Sequence, residues 1–416
     1  NSITTGGSNV IIGDQAGDAI NTGYNNTIMG KSAGTSLTTG FSNVIIGRVA
    51  AYASTDVDKT VIIGEQAAYS GNMTSAADGT VSIGANAGKN VTSADGSTFV
   101  GFSAGANVTT GGKNTFIGYY AGSQAEDDSN NTFVGRYAGT NVESDENTFF
   151  GTEAGAGVQD GTTGSQNTSI GYRSMYNHTT ANKVVAVGNA ALQLLTTGNQ
   201  NVHLGFRAGQ YNTVGSNMVV IGNEAGRYAT GSLNVFIGSN AGKGGQTSAP
   251  YSSGTQNIAI GYGAFDAFTT GNYNVAVGVS AGGGLTVGNE NVAIGQEALL
   301  SATGTLSTVV IGMQAGYNIN STDANRTVLI GYTAGRSLTS GQGNVAIGSE
   351  ALRTEDDGDF NTAIGYEALK AQTGTSGEVG NTAVGYQAGK AVTTGKRNTL
   401  LGYKAAHVMT TPDEMT

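Results

Sequence analysis

The chain has no cysteine, no tryptophan and only 2 prolines among its 416 residues. Without cysteine there is neither a disulfide framework nor a thiolate metal site. The redox compartment stays open, because stacked β-structure holds without cross-links. Positive charge is scarce too: 19 Lys and Arg stand against 29 Asp and Glu, a net charge of −10. That balance excludes the basic face a nucleic-acid binder needs. No apolar run approaches the length that spans a bilayer, so no membrane insertion is expected in this segment. The chain begins at Asn1 without Met or a signal peptide, as a processed product or a segment of something longer would.

What the chain has in excess is glycine, 68 residues of it. The spacing is not the every-third pattern of collagen, and the aliphatic strand patterns between glycines argue against disorder. Anchor glycines fall at 13, 30, 47, 64, 84, 101, 118, 135, 151, 171, 188, 205, 222, 238, 261, 278, 295, 312, 331, 348, 365, 385 and 402, most of them 17 residues apart. Self-similarity at a short fixed period marks a solenoid. The expected architecture is an all-β parallel β-solenoid, a β-roll of about 23 turns with two short strands per turn. It is expected as a single array over 9–406, with a lead-in at 1–8 and a cap or linker at 407–416.

Each position in a turn has its own chemistry. A large apolar residue precedes the anchor glycine (Ile12, Met29, Ile46, Val100, Phe150, Leu204, Ile364). Two residues earlier the side chain is mostly β-branched (Val10, Thr27, Val44, Ile258, Thr362). Alternate strand residues share a face, so these two are expected to build the core. Ala follows three residues after each anchor, except at Ser174, which marks a tight corner. An apolar residue often returns seven residues after the anchor (Ile20, Leu37, Val108, Leu195, Leu338, Val392), and Thr-Thr-Gly closes many turns. Asn opens many repeats (Asn26, Asn43, Asn114, Asn131, Asn274, Asn291, Asn398) and is placed to form a stacked side-chain ladder.

The regular spacing is interrupted by insertions near 70–80, 156–167, 243–256, 317–326 and 370–380, all entering after the Ala corner and so expected on one side of the roll. The intervals Gly64 to Gly151 and Gly151 to Gly238 are both 87 residues and run 20, 17, 17, 17, 16 in each case.

Between the two expected core positions lies a third, assigned to the opposite face. It reads Ile11, Ile28, Ile45, Ile62, Phe99, Phe116, Phe133, Phe149, His203, Phe236, Ala259, Ala276, Ala293, Ala346, Ala363 and Ala383, among others. With turns stacked about 4.8 Å apart, 23 of them make a rod of roughly 110 Å. A stripe of that length far exceeds the apolar patch a monomer exposes. These residues are therefore expected to form the interface of a homo-oligomer. A turn buries three or four aliphatic side chains at about 1.5–3 kcal/mol each against a backbone cost of about 1–2 kcal/mol per residue, so no turn stands alone.

The segments Asn291-Val292-Ala293-Ile294-Gly295, Asn344-Val345-Ala346-Ile347-Gly348 and Asn361-Thr362-Ala363-Ile364-Gly365 resemble the head repeat of trimeric autotransporter adhesins. The resemblance covers nearly all of 9–406. It implies a left-handed parallel β-roll, three chains meeting through the face of the middle alanine, and an extracellular or cell-surface location. The turns here are longer than in those heads, and the Thr-Thr-Gly segment is an addition. The longer turn is similar to repeats of bacteriophage tail-fibre and virion structural proteins, which implies the virion tail as the alternative setting.

The expected function is a non-enzymatic fibre that attaches to a cell surface, with itself (as a homotrimer) and a host-surface glycan or protein receptor as partners. The alternatives are a self-assembling filament or matrix subunit and, third, an ice-binding solenoid. No catalytic residue and no cofactor is expected: His178, His203 and His407 are far apart in the array, and the Gly-x-x-x-x-Gly fragments lack the Lys-Ser/Thr of a phosphate loop. His203 is expected at the interface. The longest insertion carries Pro250 and Tyr251, candidates for receptor contact because loops on a rigid scaffold carry recognition. Glu355, Asp356, Asp357 and Asp359 gather hard oxygens suited to Ca²⁺. Tyr119, Tyr172, Tyr262, Tyr332, Tyr366, Tyr386 and Tyr403 follow an anchor glycine, either as a sugar-stacking ladder or as packing beside the interface.

Overall fold

A computed structural model describes residues 5–158, 161–373 and 376–415. It is all-β apart from one 3-10 turn at Ser75–Ala77. The chain falls into two compact units, Asn1–Asn201 and Val202–Thr416, where the repeat pattern reads as a single array. Unit 1 winds through 11 three-residue strands, from Val10–Ile12 to Val185–Val187, and unit 2 through 12, from Val202–Leu204 to Thr399–Leu401. Within each unit successive strands pair in parallel, and like position stacks on like: Ile28 between Ile11 and Ile45 in unit 1, Ala276 between Ala259 and Ala293 in unit 2.

Most turns contribute one strand of three residues, not the two expected; among the described residues a second strand forms only at Gly358–Asp359 and Gly377–Glu378, which pair in parallel. The remainder is a chain of turns, because two positions per turn take left-handed backbone. The residue two after the anchor sits near φ +55° (Gln15, Ser32, Val49), as does the residue four after it (Gly17, Gly34, Ala51). A strand cannot run through such residues. The anchor glycine is needed for a separate reason. A Cβ on Gly13 would stand 2.5 Å from the carbonyl oxygen of Gly30, the anchor one turn on, and φ there is +136°. Three residues later, Ala33 is fully buried, donates its N–H to the anchor Gly30 and accepts from Gly17 of the preceding turn. That is the tight corner the invariant small residue signals.

The assignment of faces is reversed. The middle strand residues Ile28, Ile45, Ile62, Phe99, Phe116, Phe133, Phe149, His203, Phe236, Ala259, Ala276, Ala293, Ala346, Ala363 and Ala383 are buried inside the chain's own roll, and Ile11 is half-buried at the first strand. They cannot form an interface between chains. The flanking residues face outward instead: Ile12 is 54% exposed, Ile117 39% and Phe150 57%. Period-2 alternation holds, but with three residues per strand the roll closes over the single central side chain.

The core conserves volume across a turn. Where the middle residue is Phe, the residue four after the anchor is Gly, as Phe116 with Gly122 and Phe133 with Gly139; Leu329 likewise stands with Gly335, whereas the smaller Ile45 and Ile62 leave room for Ala51 and Ala68. A Cβ on Gly122 would lie 2.5 Å from the Phe116 ring, and one on Gly139 equally close to Phe133. In many turns where the middle residue is small, a large side chain enters from the other position: Ser169 with Met175, Ala186 with Leu192, Ala259 with Phe265, Ala363 with Leu369, all buried; Ser82, Ala276 and Ala383 stand instead with Gly88, Gly282 and Gly389. One interior volume is thus filled from either wall. Phe116, Phe133 and Phe149 stack with centroids 4.8 and 5.0 Å apart. The apolar residues seven after the anchor (Ile20, Leu37, Val108) complete the core.

Three polar ladders tie the turns together. The expected Asn ladder is present and buried. Asn274 Nδ2 donates to Asn257 Oδ1 (3.1 Å) and to Gly288 O (2.8 Å), and Asn274 Oδ1 accepts from the N–H and amide of Asn291. The first Thr of Thr-Thr-Gly donates to the carbonyl of the next turn, as Thr38 to Thr55 and Thr269 to Thr286. In the third ladder an Asp or Asn side chain caps a backbone N–H of the preceding turn: Asp58 accepts from Phe41, Asn272 from Thr255. The tail expected as a cap or linker continues the winding. Thr399 N–H bonds to Met415 O, Met415 N–H to Asn398 Oδ1, and Asn398 Nδ2 to Pro412 O.

Candidate functional site

Two kinds of surface stand out on this scaffold. The first is the outer face of the sheet in each unit, where the first and third residues of every strand form two columns. The third-position column is aliphatic or aromatic throughout, and Met29, Ile170, Ile260, Ile347 and Ile364 are exposed along it. Tyr366, Tyr386 and Tyr403, each directly after an anchor glycine, stack beside it with centroids 5.5 and 5.4 Å apart and planes within 10°. Of the seven tyrosines read from the repeats as a ladder, these three form one stack of exposed rings in unit 2, while Tyr119 in unit 1 packs against Phe102, Tyr120 and Tyr137.

The second kind comprises clefts where insertions and corners leave gaps. Residues 374 and 375 of the insertion at 370–380 and residues 159 and 160 of that at 156–167 lie outside the described residues. The insertion at 243–256 is partly tethered. Pro250 is exposed, but the half-buried Tyr251 ring packs 5.0 Å from Tyr211 and 6.2 Å from Tyr228, and Ser252 bridges to Ala229. Tyr251 thus serves first as an anchor for its own loop.

Of the four carboxylates read as Ca²⁺ ligands, the structure gathers three: oxygens of Glu355, Asp356 and Asp357 lie within 4.8 Å of one another. Burial and the neighbouring Asp356 raise the Asp357 carboxyl above its ordinary range. Asp359 turns elsewhere and accepts from the Gln342 N–H at 2.8 Å, as a member of the capping ladder. Glu355 is buried, and its Oε1 accepts from the Gly358 N–H (2.8 Å), closing the acidic turn on itself. A second acidic cleft of about 450 Å³ is lined by Glu126, Asp127, Asp128 and Glu143. There burial, followed by the charges of Asp145, Glu143 and Asp127, pushes Asp128 up to about 7.

The histidines are not where an interface would need them. His203 is fully buried in unit 2, where a Cβ on Gly209 would stand 2.7 Å from its ring, and burial lowers it to about 3. His178 lies edge-on to Phe149 at 5.5 Å with Nδ1 3.0 Å from Met175 O, and burial lowers it to about 4.

Repeat spacing left one grouping unseen, in unit 1. Arg173 Nε donates to Glu153 Oε2 (2.6 Å), and Arg136 lies 4.0 Å from the same carboxylate. Each guanidinium also covers an aromatic face: Arg136 over Tyr137 at 4.6 Å, Arg173 over Tyr176 at 5.3 Å. Glu153, Tyr137 and Tyr176 line a cleft of about 230 Å³. The signal was legible only as aromatic and charged residues two and five after consecutive anchors.

Among the described residues no helix is long and apolar enough to cross a membrane. No protein-family model matches the chain, and no curated protein is significantly similar to it.

Proposed function

We propose that the chain is a non-enzymatic fibre subunit that self-associates as a homotrimer through the outer face of its sheet and serves attachment to a cell surface, outside the cell or on a virion tail. The observation that carries the reading is the exposed apolar column. At roughly 50–100 Å² of apolar side chain per turn, either unit alone surpasses the few hundred Å² that a monomer ordinarily shows. A second copy is the economical cover, since identical rolls present matching periods. A flat sheet face against a flat sheet face also gives the well-packed area that a stable interface requires. Three copies rather than two is what the likeness to trimeric adhesin heads implies. The contact surface differs from theirs, because the middle alanines lie inside this roll.

Attachment follows from the rest of the surface: rigid turns dictated by packing, with variable loops and aromatic clusters between them. An ice-binding role fits less well, since the first Thr of the pairs at Thr38, Thr179, Thr269 and Thr393 is engaged by the next turn's carbonyl. The test is the mass of the purified chain by sedimentation equilibrium at micromolar concentration. A trimer mass is expected, and a monodisperse monomer would refute the reading.

A further inference from the structure

The cleft in unit 1 has a counterpart 87 residues further along the chain, which shows what kind of group fits it. Val142 bridges to Thr162 across the insertion in unit 1, and Ala229, 87 residues later, bridges to Ser252 in unit 2. The glycines opening the two loops match as well: a Cβ on Gly157 would meet the Asn141 Cβ at 3.5 Å, and one on Gly244 would meet the Tyr228 Cβ at 3.2 Å. In unit 2 this surface is covered by a six-membered ring of the chain itself, Tyr251 lying on Tyr228 and Tyr211. In unit 1 Asn141 replaces Tyr228 and Gly161 stands before the bridging Thr162. The place the ring covers in one unit borders an open cleft in the other.

The lining of that cleft is of two kinds. Tyr137 and Tyr176 supply half-buried aromatic walls, each held by an arginine over one face. Glu153, Thr140 and Asn141 supply polar atoms. Glu153 is fixed by Arg173 but keeps lone pairs, since a carboxylate accepts about four bonds. Thr140 donates to the Tyr137 carbonyl at 2.8 Å and so presents its oxygen as an acceptor. At about 230 Å³ the cleft is smaller than the ~300–1,000 Å³ that encloses a drug-sized ligand, which suits a single ring. A ring with an apolar face for tyrosine and hydroxyls for carboxylate and amide is a sugar ring.

We propose that the cleft bordered by Tyr137, Asn141, Glu153 and Tyr176 binds one pyranose residue of a glycan. The ring stacks on the tyrosines and its hydroxyls donate to Glu153 and Thr140. This deepens the attachment reading by naming the ligand class and the place.

The test uses the full chain against an array of defined oligosaccharides ending in neutral hexoses, N-acetylhexosamines or uronic acids, then solution titration with the best binder. Wild type is expected to bind at least one class. Tyr137→Ala and Tyr176→Ala should each weaken it at least tenfold, whereas Tyr176→Phe stays within threefold because the stacking face is kept. Tyr273→Ala, at an exposed ring of unit 2 outside either candidate surface, should change nothing. Should an alanine variant lose its fold, Asn141→Tyr supplies the second probe: it installs the residue unit 2 carries there and should abolish binding with melting unchanged. Absence of binding on the whole array, or full binding by folded Tyr176→Ala and Asn141→Tyr, overturns the proposal. Cell attachment by wild type that survives Tyr176→Ala would overturn this site alone and leave the attachment reading standing.

Discussion

The exchange between Phe133 and Gly139, and between Ala363 and Leu369, is a statement about single residues. Each pair fills one interior volume, so the members should be strongly coupled. Phe133→Ala alone leaves a cavity and should cost about 3–5 kcal/mol. Gly139→Leu alone collides with the ring and should destabilise too. The double variant should recover at least half of the loss, because Leu192, Leu299 and Leu369 already occupy the same left-handed position elsewhere in the chain. Chemical denaturation of the four proteins gives the coupling, and simple additivity would disprove shared volume. A second residue-scale consequence concerns His203. Its folded pKa of about 3 lies below the ordinary value near 6.5 because the ring is buried. The unfolded chain therefore binds the extra proton, so stability is fully present above pH 6.5 and falls as pH drops toward 3, by about 1.4 kcal/mol per unit. The buried His178, lowered to about 4, adds a like slope over the upper part of that range, so His203→Leu should remove about half of the histidine-linked fall between pH 6.5 and 4, measured as melting temperature against pH. An unchanged slope would show that the ring is hydrated.

At the scale of the element, the turn is held by ladders more than by its three-residue strand. Asn274 donates to the turns on both sides and accepts from Asn291 of the following one. Removing it as Asn274→Ala strands the Asn291 N–H and the Gly288 carbonyl inside the roll. A loss of about 2–3 kcal/mol is expected, with hydrogen exchange accelerated first in the turns on either side. Substitution at the solvent-facing Asn130 should have no comparable effect. The turn is also where reading from sequence succeeded and failed. The period, the Ala corner, the Asn ladder and the stacking of like on like were legible because each repeats some twenty times. The inward face was not. Alternation says which residues share a face, and with Val10, Ile11 and Ile12 all apolar nothing local says which face is inside. The deciding signal lay six residues away, in the reciprocal sizes of Phe116 and Gly122 or Ala186 and Leu192, which only a common interior explains. The paired arginines around Glu153 and the ring contacts of Tyr251 were illegible for another reason. The arginines and Glu153 stand just after their anchors, at places where the residue type changes from turn to turn, and Tyr251 sits in an insertion that follows no period.

At the scale of the whole molecule, correcting the faces changes the surface on which the proposed self-association must be tested. A roll closed over its middle residues buries them within the chain, yet it still presents the apolar third-position column outward. The adjacent residues Phe116 and Ile117 separate the two roles, since they differ by one position and by their direction. Phe116 is fully buried between Phe99 and Phe133, whereas Ile117 points from the sheet toward solvent. Phe116→Asp places an unpaired charge in the core and should unfold the surrounding turns, lowering the β-signal in circular dichroism whatever the protein concentration. Ile117→Asp leaves the interior untouched, and a single chain has water enough around that position to accept the charge. In an assembly the same carboxylate would be desolvated against a neighbouring apolar column, and one from every chain would meet at the same height. Ile117→Asp, doubled with Ile260→Asp in unit 2, should therefore yield a well-folded monomer by sedimentation, with β-content equal to wild type. A folded variant that keeps the wild-type mass would place the contact surface away from the sheet face, and equal behaviour of the Phe116 and Ile117 variants would contradict the assignment of the two faces itself.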